Sequence, residues 1–465
     1  MNNTVDITEF FNKDFCKYAS YDTLRSLANY VDGLKISERK AIWVALTYPN
    51  VKRVKVSQFS SKVSEATNYI HGEMSMQSVI TNLGRNYIGS NNINLLKPDG
   101  NFGTRFVKKP SAPRYIFVDK EPIIDKIFKK EDLDILEKQY FEGEEIEPRF
   151  LMPIIPLLLV NGVDAVGTGF SQTILPRNPI EIIDIIEDFV KGNGEKYNGK
   201  YITPWYKGYT GKIRRTEDDK SWEILGHIRY KNDTTLIIDE VPIGYSLSSY
   251  KEVLDKLKER KKIRGYSDLS ENDKFLFEVK VSRSDEDTDS EELLDTFKLI
   301  KRESENFSSI NEDNKVVDKS DNICDEFDII RHFIPIRLDY IEKRKNRMLK
   351  KYLLEIKVAK NKANFIKGIN SNEIKVQRVK TDDLIKTLES MEFDKIGDSY
   401  SYLLDLKIHT LTEEKYTELK EQLKKLVEKY NNLKNSSIED LYLKDLEELK
   451  EELINDGRYT ISINK

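Results

Sequence analysis

SQFSSKVSEATNYIHGEMSMQSVITNLGRNY, residues 57–87, is the stretch that decides how the first third of the chain folds. Ser57–Thr67 and Glu73–Tyr87 read as two short helices, and Asn68-Tyr69-Ile70-His71-Gly72 between them is a turn ending in glycine. That arrangement predicts a helix-turn-helix, a pattern shared by proteins of many kinds. Upstream, Ser37–Leu46 is a further helix. Lys52, Arg53, Lys55 and Lys62 come with no acid among them; taken alone, such a run is a solvated face. Downstream of Tyr87 the chain is rich in Gly, Asn and Pro as far as Pro113, which marks a long ordered loop or wing.

Beyond residue 150 the texture changes. Leu151–Val160 is apolar and reads as a buried strand; Lys212–Thr216, Trp222–Tyr230 and Thr235–Val241 read as strands. Lys274–Val281 places Phe275, Phe277, Val279 and Val281 on one face of another strand. A charged helix, Leu247–Ile263, interrupts the strands. From 326 to about 369 one long helix is expected, with Ile334, Leu338, Ile341, Met348, Tyr352, Ala359 and Ile366 near coiled-coil spacing. Tyr416, Leu419, Leu423, Leu426, Tyr430 and Leu433 form a cleaner heptad seam, with Thr410 and Glu413 as a capping pair at its start. An antiparallel pair of helices with a small globular tip between them satisfies this pattern; so does an ordinary helical hairpin. The fold class is α+β and multidomain.

Composition narrows the function classes. The 465 residues are 38% hydrophobic and 34% charged, which fits a folded soluble protein. The net charge of −4 argues against a uniformly basic nucleic-acid binder, but charge is unevenly spread. Residues 331–369 carry twelve Lys or Arg against three acids, whereas 284–292 (SDEDTDSEE) is nearly all acid. Cys16 and Cys324 are too few for a disulfide framework, and no Cys/His cluster suggests zinc. The opening MNNTVDITEFF lacks the basic start and apolar run of a signal peptide, and Pro153 and Pro156 break the longest apolar stretch, so no membrane span is expected.

Asp99-Gly100-Asn101-Phe102-Gly103-Thr104, followed by Ala112-Pro113-Arg114-Tyr115, resembles the signature of type IIA DNA topoisomerases, whose Gly-Asn-Phe-Gly loop precedes an Arg-Tyr active-site pair. Three further segments match that family in order. Arg25 with Asp32-Gly33-Leu34-Lys35 and Arg39 looks like its Arg…Asp-Gly-Leu-Lys-Pro…Arg block. His71-Gly72-Glu73 looks like its His-Gly-acid turn. Pro153 to Pro156, Asn161-Gly162, Val166-Gly167-Thr168-Gly169 and Leu175-Pro176 look like its Pro…Asn-Gly…Gly-x-Gly…Pro block. The resemblance covers essentially the whole chain. It is to the DNA-cleaving, gyrase A-like subunit, most closely the medium subunit of T-even-type phage enzymes. Ile36 replaces the family's proline and Glu38 replaces a basic residue or histidine, which puts individual DNA contacts in question.

The resemblance implies a winged-helix cleavage domain over residues 1–150, a tower-like domain over 151–325, and a coiled coil over 326–465 with a dimerisation tip at about 370–410. Tyr115 would be the nucleophile, forming a bond to a 5′ phosphate, with Arg114 supplying fixed positive charge beside it. Arg25 and His71 would lie near the scissile phosphate. Lys35 and Arg39 would contact phosphates, and Val166 would take the place of an apolar residue that wedges between bases. ATP and the Mg²⁺ carboxylates would belong to a separate ATPase/TOPRIM subunit, with none bound here. The implied assembly is double-stranded DNA, two copies of this chain and that subunit, working in the cytoplasm, a host cell's if the gene is a phage's. The competing reading is a non-catalytic architectural or regulatory protein, with a helix-turn-helix that binds DNA and a coiled coil that dimerises.

Overall fold

The structure, a computed structural model, describes residues 6–48, 52–282, 290–376, 379–407 and 412–459. The chain divides into two compact units, Met1–Arg337 with Leu443–Lys465, and Leu338–Tyr442. The segment read as one region from 326 to 465 is thus shared between them.

In the first unit, helix α1 (Cys16–Ser26) leads into a tight turn and helix α2 (Ile36–Thr47). Gly33 makes that turn. Its φ is +69°, and a Cβ there would lie 2.3 Å from the Leu158 backbone nitrogen, so only glycine fits. Strand β1 (Val54–Lys55) runs directly into helix α3 (Val56–Thr67), and helix α4 (Glu73–Gly84) follows. Asn68 ends α3 in the left-handed conformation, which asparagine tolerates, so the expected turn forms where the sequence placed it. The three helices bury Ala41, Val44, Phe59, Val63, Met76 and Ile80. Strands β2 (Leu96–Asp99) and β3 (Phe117–Lys120) complete an antiparallel sheet of order β1-β3-β2 against these helices, a winged-helix arrangement. A hairpin of β4 (Gln139–Phe141) and β5 (Glu144–Ile146) follows.

Leu151–Val160 is not the strand expected of it. Its residues are buried, but Pro153 and Pro156 have no N–H for a strand ladder, and the run ends as the short helix α5 (Leu157–Asn161). A hairpin, β6 (Val163–Gly167) and β7 (Phe170–Ile174), comes next, with Val166 and Phe170 exposed and Ala165 and Gln172 buried. Helix α6 (Pro179–Val190) has proline in its first turn and Asn178 as its cap, accepting from the Ile180 and Glu181 N–H groups.

Of the remaining strands, β8 (Ile213–Arg215), β9 (Trp222–Leu225), β10 (His227–Asn232) and β11 (Thr235–Glu240) come before helix α7 (Leu247–Glu259). Strands β12 (Gly265–Asp268), β13 (Phe277–Lys280) and β14 (Ile300–Glu303) come after it. They form two sheets, β10-β11-β13-β12 and β14-β9-β8. Trp222–Tyr230, read as one strand, breaks at Gly226 and feeds both. Phe275, Phe277 and Val279 do share a buried face, packed with Leu236, Ile238, Tyr250 and Leu254. Most of the acid run 284–292 lies outside the described residues.

Helix α8 (Glu326–Asn370) opens in the first unit. There Arg337 is fully buried, bound to Asp132 at 2.6 Å and to Asp445 at 3.3 Å. In the second unit, α8 continues, α9 (Thr381–Ser390) follows, and α10 (Glu413–Asn435) runs antiparallel to α8. Lys345 Nζ reaches the Ser436 carbonyl at one end, Ala363 and Ile366 pack on Leu419, and Asn370 meets Glu413 at the other. Thr410 lies outside the described residues; Thr412 caps α10 through the Lys415 N–H. The tip has its own core of Phe365, Ile374, Leu388, Phe393, Tyr400 and Leu403. Helix α11 (Ile438–Asp456) carries the chain back into the first unit. No helix among the described residues is long and apolar enough to cross a membrane.

Candidate functional site

Tyr115 stands on a turn just ahead of β3, and its side chain is 70% exposed although its neighbour Ile116 is buried. Hydrogen bonds fix the turn from three sides. The Ala112 carbonyl accepts from the Tyr115 N–H at 2.9 Å. The Pro113 and Ile116 carbonyls accept from Ser57 and Val56 at the start of α3, at 3.3 and 3.0 Å. Those N–H groups belong to the first turn of a helix, where no intrahelical acceptor exists. The tyrosine's backbone is therefore fastened to the helix-turn-helix while its phenol projects outward. Arg114 places its guanidinium 5.5 Å from the Tyr115 ring centroid, within cation–π range.

The loop 101–111 holds the turn from the other side. Asn101 Oδ1 accepts from the Gly103 N–H at 2.8 Å, and the Asn101 carbonyl accepts from Ser111 at 2.9 Å. Phe102 is buried against Gly84 at the end of α4. Gly103 has φ +94°, and a Cβ there would lie 2.6 Å from the Lys108 carbonyl oxygen. Gly103→Ala is expected to cost about 1–3 kcal/mol and to speed amide hydrogen exchange at Ser111 and Tyr115. Unchanged protection at those amides would show that the loop does not brace the turn.

A second group of side chains gathers around His71. Its Nε2 is 2.8 Å from the Tyr21 hydroxyl, and its ring meets Tyr69 edge-on at 5.4 Å between centroids. Tyr21 and Arg25 are one helical turn apart on α1 and line the same cavity of about 180 Å³ with His71 and Lys40. Ile36, Phe141 and Ile146 give the cavity apolar walls. Burial, then the charges of Arg25 and Lys40, hold the His71 imidazolium below its ordinary pKa, which favours the neutral ring. Lys40 is committed to the Thr67 carbonyl at 2.6 Å and Glu147 at 2.8 Å. Arg25 has no hydrogen-bond or ion-pair partner among the described residues. Its charge is open to an incoming anion. Nor does any hydrogen bond or ring contact among them join Tyr115 to Arg25 or His71.

The other expected contacts divide. Lys35 is half-buried at the start of α2, where its N–H donates to Glu38 at 2.9 Å. Glu38, a departure from the family pattern, thus serves as a capping acceptor. Arg39 does not face a ligand. It is 4% exposed, and its guanidinium is spent on both Asp32 oxygens, at 2.6 and 3.1 Å, and on the Leu34 carbonyl. In this structure the guanidinium expected to contact a phosphate is occupied inside the protein. Val166 is 77% exposed near the tip of the β6–β7 hairpin. Asp22 pins that tip by accepting from the Thr168 N–H and hydroxyl at 3.0 and 2.7 Å.

Tyr21, Asp22 and Lys40 were not singled out by the sequence reading. The spacing of Tyr21 from Arg25 was the available signal, since residues four apart share a helical face.

The charged side chain placed beside Tyr115 is Arg114, and among the described residues no group of three or more His, Cys, Asp or Glu is placed to hold a metal ion.

The sequence profile of the DNA gyrase/topoisomerase IV family, for the A subunit of those enzymes, matches residues 25–449. The mitochondrial DNA topoisomerase 2 of Dictyostelium discoideum is 34% identical over 458 residues, covering 96% of this chain and 35% of that protein. The DNA topoisomerase 2 of Invertebrate iridescent virus 6 is 31% identical over 465 residues, 96% of this chain and 39% of that one. Among solved structures, the chain is similar to the DNA-binding, cleavage and re-ligation domain of Plasmodium falciparum topoisomerase II, with a TM-score of 0.85 at 32% identity. That match covers 97% of this chain and 64% of the other. The chain spans about a third of the length of the relatives it matches.

Proposed function

The chain belongs to the family of DNA gyrase/topoisomerase IV A subunits, and on that premise we propose that it is the DNA-breaking and rejoining subunit of an ATP-dependent type II topoisomerase, with Tyr115 as its nucleophile. The observation that carries the reading is Tyr115 itself. It is an exposed phenol beside a guanidinium, on a turn hydrogen-bonded to the start of a helix-turn-helix.

In this reading the Tyr115 oxygen attacks a backbone phosphorus and loses its proton. The bond from phosphorus to the neighbouring sugar's 3′ oxygen breaks, and that oxygen leaves as a hydroxyl. A 5′-phosphotyrosyl bond replaces one phosphodiester, so the 3′ hydroxyl can reverse the step without new chemical energy. Arg114 offsets charge on the phosphate as the bond forms. Arg25 supplies a cation without a partner among the described residues, and neutral His71 a donor or acceptor, for the same phosphate group.

The proposal extends to the assembly. Mg²⁺ and ATP belong to a separate ATPase/TOPRIM subunit. Two copies of this chain cut the two strands of one duplex. The tip dimerises through Val376, Val379 and Met391, which its small core leaves 36%, 38% and 39% exposed. Exposed Val166 enters the base stack, and Lys35 tracks the backbone. The proposal also takes the chain to be a phage-type medium subunit that works in a host cell's cytoplasm; a viral DNA topoisomerase 2, of which the chain covers 39%, is among its relatives.

Mixing the chain with such a subunit, end-labelled duplex DNA and Mg²⁺, then stopping with detergent, is expected to leave label on this polypeptide at Tyr115 alone. No label, or label at another tyrosine, overturns the proposal.

A further inference from the structure

The Tyr21–His71 pair carries an inference that deepens the reading above and rests on it. Tyr21 is half exposed, yet its hydroxyl is 2.8 Å from Nε2 of a histidine fifty residues away in sequence. Nothing about a surface tyrosine requires that contact. It joins α1, which also carries Arg25, to the turn between the two helices of the helix-turn-helix.

A neutral imidazole has one donor nitrogen and one acceptor, and the partner of one nitrogen fixes the role of the other. The groups facing His71 favour the neutral ring. From α1 come the Tyr21 hydroxyl and the Arg25 charge. From α2 comes Lys40, already paired with Glu147 near the β4–β5 hairpin, and from its own turn comes the Tyr69 ring. His71 Nδ1 has no hydrogen-bond partner among the described residues.

We propose that Tyr21 is a positioning residue for His71: its hydroxyl donates to Nε2, holds the imidazole in the tautomer with its proton on Nδ1, and so leaves Nδ1–H to donate to a DNA phosphate oxygen bound beside Arg25. The pair makes the histidine a neutral donor of fixed orientation. Arg25 supplies the charge and His71 the direction. Protonation of Nε2 would turn that nitrogen into a donor and end the hydrogen bond it accepts from Tyr21, so the fixed neutral tautomer is lost as pH falls.

Tyr21→Phe keeps the ring and removes only the hydroxyl. In the assembled enzyme it is expected to slow formation of protein-linked DNA about fivefold at neutral pH, the scale of one lost hydrogen bond. The acid limb of the pH–rate profile is expected to move to higher pH, because the neutral imidazole loses the donor that favours it. In a His71→Ala background the same change is expected to alter the rate less than about twofold. An equal loss in both backgrounds, or a profile lowered evenly at every pH, overturns the positioning role.

A second measurement needs no catalysis. With [13Cε1]-histidine in the full chain, which has only four histidines, the His71 resonance (identified by its loss in His71→Asn) is expected to titrate at higher pH in Tyr21→Phe than in the parent. An equal or lower midpoint overturns the proposal. If the parent enzyme forms no Tyr115 adduct while the titration still shifts, the topoisomerase reading fails and the Tyr21–His71 pairing stands.

Discussion

Tyr115→Phe, assembled with its partner subunit, is expected to bind duplex DNA within about twofold of the parent and to form protein-linked DNA at least ~10⁴-fold more slowly, the scale on which loss of a covalent nucleophile is felt. The substitution removes one oxygen from a side chain that is 70% exposed. That oxygen has no hydrogen-bond partner among the described residues, so its loss leaves no buried group unsatisfied. The turn is held by backbone bonds, from Tyr115 to Ala112 and from α3 to Pro113 and Ile116, all of which phenylalanine keeps. Arg114 keeps an aromatic face beside it. Binding and chemistry should therefore separate cleanly. Gel shift measures the first and detergent-trapped adduct the second; a surviving adduct would mean that another group attacks the phosphate.

Arg39→Ala is expected to act on stability rather than on DNA. The side chains of Asp32 and Arg39 are 0% and 5% exposed. The Asp32 carboxylate accepts from Arg39 Nε and Nη2, from the Leu34 N–H and from the Leu151 N–H. Removing the guanidinium strands a buried carboxylate with two backbone donors and no counter-charge. Breaking a buried pair from one side costs about 3–5 kcal/mol. The first unit should therefore melt at clearly lower temperature, while the salt dependence of DNA binding at a permissive temperature keeps its slope. A mutant that melts like the parent but loses about one unit of that slope, the mark of a lost phosphate contact, would restore the reading of Arg39 as a DNA contact.

These two residues mark how far the sequence could be read. The helices around residues 57–84 were legible because local chemistry sets them: Asn68 accepts a left-handed turn, and Gly72 ends it. The long helix and the heptads of α10 were legible by period. Leu151–Val160 was misread because an apolar run does not say whether it becomes strand or helix, and its two prolines were the overlooked evidence against a ladder. Within the candidate site, the family resemblance pointed to Tyr115 and Arg114. It did not say which way Arg39 turns, since a charge seven residues from an aspartate is equally compatible with surface and interior. The Tyr21–His71 hydrogen bond was invisible for a similar reason. It depends on two elements meeting in space.

Arg337 has a consequence for how such a chain can change over time. It stands at the exit of the first unit, and Asp445, to which it is bound, stands near the point of return, with Asp132 completing the clamp. The hundred or so residues between are thus an excursion whose two ends are tied at one knot. Lengthening such a loop adds only about 0.6 kcal/mol of closure entropy per doubling. A change in the length of the excursion therefore need not disturb the knot, or the chemistry on the near side of it.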